Sequence, residues 1–199
     1  MLPRELPNWN ELYKTIPVEE MPWFSQELDH DLAAQLTQRK LSSGRFLDIG
    51  TGPGTQAIAL AQRGFTVTAT DVSEAAIHRL QQIKTPVTFV QDDILHSTVR
   101  GPFDFIFDRG CFHVLDPKDW TNYVRTVHSL LADDGILFLK TFSHHETNVI
   151  HGPYRFTPEE IRSALAPHFK IDSIVESEFN GTLKPNPKAL FTVAVKTKR

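Results

Sequence analysis

The chain is poor in cysteine. Cys111 is the single one, so no disulfide can form within the chain, and a reducing compartment fits. No apolar run reaches the length that crosses a bilayer, and Met1-Leu2-Pro3-Arg4-Glu5 forms no apolar leader. A cytoplasmic location away from membranes is therefore expected. Charge of one sign is also scarce. The net charge is −3, and Lys and Arg are scattered instead of forming the basic stripe that nucleic acids require. The closing basic residues, Lys196 to Arg199, read as a solvated tail. Repeats and low-complexity segments are absent, which argues against a solenoid or a long disordered linker.

What is present suits one globular domain. Hydrophobic residues make up 40% of 199, enough for a sizeable core. A monomer is the default expectation. Near the start, Trp9, Leu12, Tyr13 and Ile16 fall on one helical stripe. A proline-rich break from Pro17 to Pro22 follows. Leu28, Leu32 and Leu36 then predict a second helix over residues 25–40, closed by Gly44.

From there apolar strand patterns alternate with helical ones. Strands are expected at residues 46–49, 66–70, 87–91, 103–108 and 136–140. Helices are expected at 55–63, at 73–83 with Ser73 as its cap, and from Asp116-Pro117 to a stop at Gly135. After residue 141 the rhythm changes. Thr157-Pro158-Glu159-Glu160 has the form of a capping box. Strands at 169–175 and 189–195 are joined only by a loop, so they should be antiparallel. These patterns predict an α/β fold, doubly wound, with a mainly parallel seven-stranded sheet and one antiparallel strand. Residues 1–44 would form an N-terminal helical cover on a catalytic unit spanning 45–199.

The most informative stretch is Asp48-Ile49-Gly50-Thr51-Gly52-Pro53-Gly54-Thr55, between the first strand and its helix. A plain turn needs one or two glycines. Three in alternate positions imply a backbone that a ligand approaches closely. A dinucleotide fingerprint, G-x-G-x-x-G, is the rival reading, with a nicotinamide-dependent oxidoreductase as its consequence. Thr55 stands where that pattern needs its last glycine. Asp71 ends the second strand, where an acid can take both ribose hydroxyls. Asp92 and Asp93 follow the third strand, where a carboxylate can accept from an adenine amine.

These features, in this order, resemble the class I S-adenosylmethionine-dependent methyltransferases from Phe46 onward. The resemblance implies S-adenosylmethionine as cofactor and S-adenosylhomocysteine as product. It implies that Gly50, Thr51, Gly52 and Gly54 hold the methionine end, with Asp48 facing its amino group. Asp71 would bind the ribose, Asp92 the adenine amine, and the backbone at Asp93 the ring. Val72, Ile94 and Asp108 count among the same cofactor-binding residues. A non-catalytic binder of the cofactor is a further alternative.

A second group of residues narrows the resemblance. Phe103-Asp104-Phe105-Ile106-Phe107-Asp108-Arg109-Gly110 is similar to the fourth-strand motif of thiol, thiopurine and halide methyltransferases. Phe24-Ser25-Gln26-Glu27-Leu28-Asp29-His30-Asp31-Leu32 resembles their F-x-Q-E-x-x-H-x-L segment. Trp9 and Tyr13 match their aromatic pair, and Gly152-Pro153-Tyr154-Arg155-Phe156 matches a Gly-Pro-aromatic loop. The second-strand acid departs from the pattern, being Asp instead of Glu. The resemblance implies that Trp9, Tyr13 and Phe24 cover the cofactor, with Arg109 beside it. The acceptor implied is a small molecule, a thiol or other soft nucleophile. No Asn/Asp-Pro-Pro-aromatic motif follows the fourth strand, and the cysteine pair used on pyrimidine C5 is missing. His113 is a candidate base, though packing is the commoner role for such a residue. Tyr154 and Arg155 are candidate acceptor contacts. His144, His145 and His151 crowd one loop, but no acid or cysteine spacing near them supports a metal, so none is expected.

Overall fold

The computed structural model describes residues 6–149, 152–166 and 168–197. His151, Lys198 and Arg199 lie outside the described residues. The first element among the described residues is helix α1 (Trp9–Thr15), where Asn8 accepts from the Glu11 amide. Helix α2 covers His30–Gln38. The leucine stripe predicted a start at residue 25. Asp29 sets it instead, because its carboxylate accepts from the Asp31 and Leu32 amides.

The alternating part runs β1 (Arg45–Ile49), α3 (Thr55–Gln62), β2 (Thr66–Asp71), α4 (Glu74–Gln81), β3 (Thr88–Gln91) and β4 (Phe103–Arg109). It continues through α5 (Trp120–Leu130), β5 (Leu131–Ser143), β6 (Arg155–Phe156), α6 (Pro158–Leu165), β7 (Phe169–Glu178) and β8 (Lys188–Lys196). Ser73 caps α4 by accepting from the Ala76 amide, and Thr157 and Glu160 form the capping box of α6. Asp116 and Pro117 open a short 3-10 turn that leads into α5. Gly135 does not end α5, contrary to the sequence pattern. The helix stops at Leu130, because Leu131 already pairs with Phe103 in the sheet.

The strand order is β3-β2-β1-β4-β5-β8-β7, with β6 beside β5. Strands β1 to β5 are parallel, and β8 is antiparallel to both its neighbours. Among the described residues eight strands form where seven were expected. The extra one, β6, is two residues paired with Phe142 and Ser143. The order reverses between β1 and β4, which opens a crevice at the carboxyl ends of those strands.

Strand alternation distributes the core to two faces. Phe46, Phe105, Phe107 and Phe138 pack under α2 and α3 with Leu32, Leu36 and Leu60. Leu47, Ile49, Ile106 and Leu139 pack under α5 and α6 with Tyr123, Val127 and Ile161. Each buried side chain of this size contributes about 1.5–3 kcal/mol relative to exposure. Among the described residues no helix is long and apolar enough to cross a membrane.

Candidate active site

The glycine loop turns at the carboxyl end of β1. Gly50, Gly52 and Gly54 have φ of 65°, 51° and 77°, which favour glycine at each point. The Asp48 carboxylate is buried and accepts from the Thr51 hydroxyl at 2.6 Å. Asp71, at the end of β2, accepts from the Gly52 amide and the Ser73 amide, both at 2.9 Å. It therefore fixes the loop and the start of α4 together. Val72 beside it is 53% exposed, an apolar side chain left open at the end of β2. Asp92 accepts from the Thr98 amide at 2.8 Å, and Asp93 caps the turn at Ile94–His96 through the Leu95 amide.

Asp108, expected among the cofactor-binding residues, holds the backbone beside the loop. Its carboxylate is fully buried and accepts from the amides of Gly110, Cys111 and Phe112 and from the Tyr123 hydroxyl. It anchors the turn after β4 from inside. Burial pushes it up to about 6, against the pull of those donors.

Three buried carboxyls thus surround the loop. Burial pushes Asp48 up to about 7, and the neighbouring Asp108 and Asp71 add to the rise, while the Thr51 bond and Arg109 offset part of it. Burial also raises Asp71. Cys111 sits against the loop, and burial and the surrounding carboxylates push its thiol well up, so it carries no thiolate. A basin with this surplus of buried acid favours a cationic ligand. A sulfonium bearing an ammonium group fits that donor set.

The raised Asp48 carboxyl makes stability depend on pH. Between the ordinary carboxylate value of about 4 and its raised value, the folded chain holds a proton that the unfolded chain has released. Stability without cofactor therefore falls as pH rises through that window. Asp48→Asn removes the penalty. It should raise the melting temperature at pH 8 and leave it nearly unchanged at pH 4, measured by thermal unfolding without cofactor. An equal change at both pH values would show that the charge is not responsible.

The N-terminal aromatics sit on this loop. A methyl group at Gly52 would fall 2.4 Å from the Tyr13 hydroxyl oxygen. The Trp23 indole donates to that oxygen at 3.1 Å, and Trp9 packs edge-on against Trp23. Phe24 joins the same apolar cluster. Sequence reasoning missed Trp23, although the Trp23-Phe24 pair beside the break was a usable signal. Several bonds hold the segment down. Arg79 donates to the Tyr13 carbonyl, Ala75 donates its amide to Asn10, and Gln56 bonds the backbone at Glu27 and Asp29.

Arg109 is locked. Its guanidinium donates to Asp29, to the Trp23 carbonyl and to the Asn180 carbonyl, and its cation lies over the Phe179 ring. It ties β4 to the N-terminal segment and to the β7–β8 loop. Lys140 is fully buried and donates to Asp29 at 2.8 Å and Asp31 at 2.7 Å. Neither Lys140 nor Phe179 stood out in the sequence. His113 is buried between Phe142 and Phe179, and its Nδ1 accepts from the Phe142 amide at 3.1 Å. The Tyr154 amide donates to the His113 carbonyl. Arg155 turns inward to the Val149 carbonyl, so its guanidinium braces the loop.

The geometry agrees with the comparisons. A family model described as a methyltransferase domain matches residues 22–190. An uncharacterized methyltransferase of Schizosaccharomyces pombe is 35% identical over 107 residues, covering 51% of this chain and 72% of the relative. A ubiquinone biosynthesis O-methyltransferase of Pseudomonas aeruginosa is 31% identical over 112 residues, covering 53% of this chain and 47% of that protein. Thiocyanate methyltransferase 1 of Brassica oleracea is 27% identical over 167 residues, covering 80% of this chain and 73% of it. The structure of a Burkholderia thailandensis 1,6-didemethyltoxoflavin-N1-methyltransferase with bound S-adenosylhomocysteine superposes with a TM-score of 0.70 at 24% identity, covering 85% of this chain and 78% of that one. With the glycine loop, the flanking acids and the strand order in place, the chain belongs to the methyltransferase-domain family and is an S-adenosylmethionine-dependent methyltransferase.

Proposed function

We propose that this enzyme methylates a small soft nucleophile, a thiol or a comparable anion, and that the residues around the glycine loop hold the methyl donor. Gly50, Thr51, Gly52 and Gly54 cradle the methionine end, and Asp48 takes its ammonium. Asp71 takes the ribose hydroxyls, Val72 and Ile94 flank the adenine, and Asp92 with the Asp93 backbone reads its edge. Trp9, Tyr13, Trp23 and Phe24 cover the cofactor, so the donor enters when that cover lifts from Gly52. Aromatic faces suit a sulfonium in a dry site.

One observation carries the acceptor class. Asp108, Arg109 and His113, at and beside the turn after β4, are committed elsewhere, and the Cys111 thiol is held protonated. Asp108 accepts four donors, Arg109 is bound on three sides, and His113 Nδ1 accepts from a backbone amide. Hydroxyl and amine acceptors need a positioned base more than thiolates and halide-like anions do. A nucleophile that arrives with its electron pair needs only alignment. Its lone pair forms the bond to the methyl carbon as the carbon–sulfur bond breaks, and that pair stays on sulfur as S-adenosylhomocysteine. Phe142 and Phe179 beside His113 give this position an apolar wall that desolvates an anion. The likeness to a thiocyanate methyltransferase over 80% of the chain supports the same class.

Release of S-adenosylhomocysteine over a panel of thiols, thiocyanate, iodide, phenols and amines tests the reading. Turnover of a thiol or of thiocyanate at least tenfold above phenols and amines is expected. Turnover confined to phenols or amines would overturn it.

A further inference from the structure

We propose that His144, His145 and Glu176 form a binding site for a divalent cation of the zinc class. The site is independent of the acceptor. The two histidines are neighbours in the turn after β5. Their acid partner comes from β7 and is thirty-odd residues away in sequence, so spacing alone could not show it. In the fold one ligand atom from each of the three lies within 4.8 Å of the others. His145 Nε2 is 3.8 Å from Glu176 Oε1. The His144 and His145 rings are 3.8 Å apart between centroids.

The donor set points to the metal. Two imidazole nitrogens and one carboxylate oxygen match zinc, which takes nitrogen and oxygen ligands at about 2.0–2.2 Å and leaves a fourth position open. Ligand atoms in such a shell stand roughly 3.2–3.6 Å apart, so small side-chain rotations close the gap from the observed spacing. Magnesium and calcium prefer shells of oxygen alone.

The backbone beneath the site is held in place. The His144 amide donates to the Phe156 carbonyl, and the Glu146 amide to Ser143. The buried Glu146 carboxylate accepts from the amides of Asn148, Val149 and Lys188, which pins the turn to β8. Glu176 is fixed by its ladder position opposite Leu190. The Ser143 hydroxyl donates to Glu176 Oε1 at 3.3 Å, the kind of outer contact that orients a metal-binding carboxylate. A rigid base under exposed ligands reduces what ordering the site costs.

A second grouping, Asp29, His30 and Asp31, has the same spacing but no vacancy for a cation. The Lys140 ammonium already sits on both carboxylates.

A bound metal would clamp the end of β5 to β7. Phe142, one residue before Ser143, packs on His113 and Phe179, so the clamp reaches the aromatic rings around His113. The test is calorimetric titration of untagged, chelator-stripped protein with zinc chloride, and with magnesium chloride in parallel. One equivalent of zinc binding at micromolar Kd or tighter is expected, with no magnesium binding. His145→Ala and Glu176→Gln should each weaken zinc by at least tenfold while leaving the melting curve of the metal-free protein unchanged. His96→Gln, at an exposed histidine paired with Asp93, should leave binding unaltered. Absence of zinc binding by the wild type, unchanged affinity in either ligand variant, or loss of binding in His96→Gln would overturn the proposal.

Discussion

Asp71→Ala is expected to weaken S-adenosylhomocysteine binding by about 1.5–3 kcal/mol, roughly ten- to a hundredfold in Kd. The size follows from a charged acceptor meeting neutral hydroxyls in a buried site. Asp71 is 7% exposed, and water cannot easily replace what is removed. The same carboxylate also accepts from the Gly52 and Ser73 amides, so its loss loosens the glycine loop as well. Two measurements separate these effects. Asp71→Asn keeps one acceptor for the loop and loses the charge. A 2′,3′-dideoxy analogue of S-adenosylhomocysteine keeps the protein intact and removes the hydroxyls. If Asp71 acts on the ribose, the analogue binds the wild type weakly and binds Asp71→Ala no more weakly still. Additive losses would assign Asp71 to the loop alone.

The fold was readable in the sequence wherever its cause was local. The glycine loop, the Ser73 cap and the Thr157 capping box depend on a few adjacent residues, and each forms where the pattern put it. The strands were readable because a sheet buried on both faces writes near-continuous apolar runs, as at Phe103 to Phe107. The misplaced boundaries have distant causes. Leu131 leaves the helix because Phe103 offers it a strand partner. The region before Asp29 stays non-helical because Gln56 and the Asp29 cap hold its backbone.

The candidate site was readable to the same extent. Asp48 and Asp71 could be found because they end strands beside the glycines. Lys140 could not, because lysine in a strand ordinarily lies at the surface, and nothing near it in sequence shows the acids that neutralise it. Trp23 and Phe179 are similar cases. Their importance comes from what they meet, the Tyr13 hydroxyl and the Arg109 cation. Arg109 stood out in the sequence through its Asp-Arg-Gly motif, but what it meets did not: it braces β4 against the N-terminal segment and the β7–β8 loop. Glu176 comes beside the histidine pair only after β5 and β7 are brought to either side of β8.

The largest effect on stability should come from Asp29→Ala. Asp29 is the shared anion of two cations that have almost no access to water. Its carboxylate accepts from Lys140 and from Arg109, whose side chains are 0% and 7% exposed. Burial alone would lift the Asp29 carboxyl, but Lys140 and Arg109 together outweigh it and hold the group below the usual carboxylate range. Removing one member of such a group strands charge, at a typical cost of about 3–5 kcal/mol. For a chain of this length that is a fall of roughly 6–20 °C in melting temperature. The cap on α2 is lost at the same time.

The pH dependence gives the second signature. A lowered carboxyl contributes stability that is present above its unfolded value, about 4, and disappears as pH falls through the folded value. The gap between wild type and Asp29→Ala should therefore narrow as the pH is taken below 4. Lys140→Met supplies the contrast. It leaves Asp29 paired with Arg109 and leaves Asp31, which is partly exposed, near water and the Ser177 hydroxyl. Its cost should be clearly smaller. Equal losses in the two variants would move the hub from Asp29 to Lys140. A loss in Asp29→Ala that stays constant down to pH 2 would mean that capping, and not charge, holds the cover to the sheet.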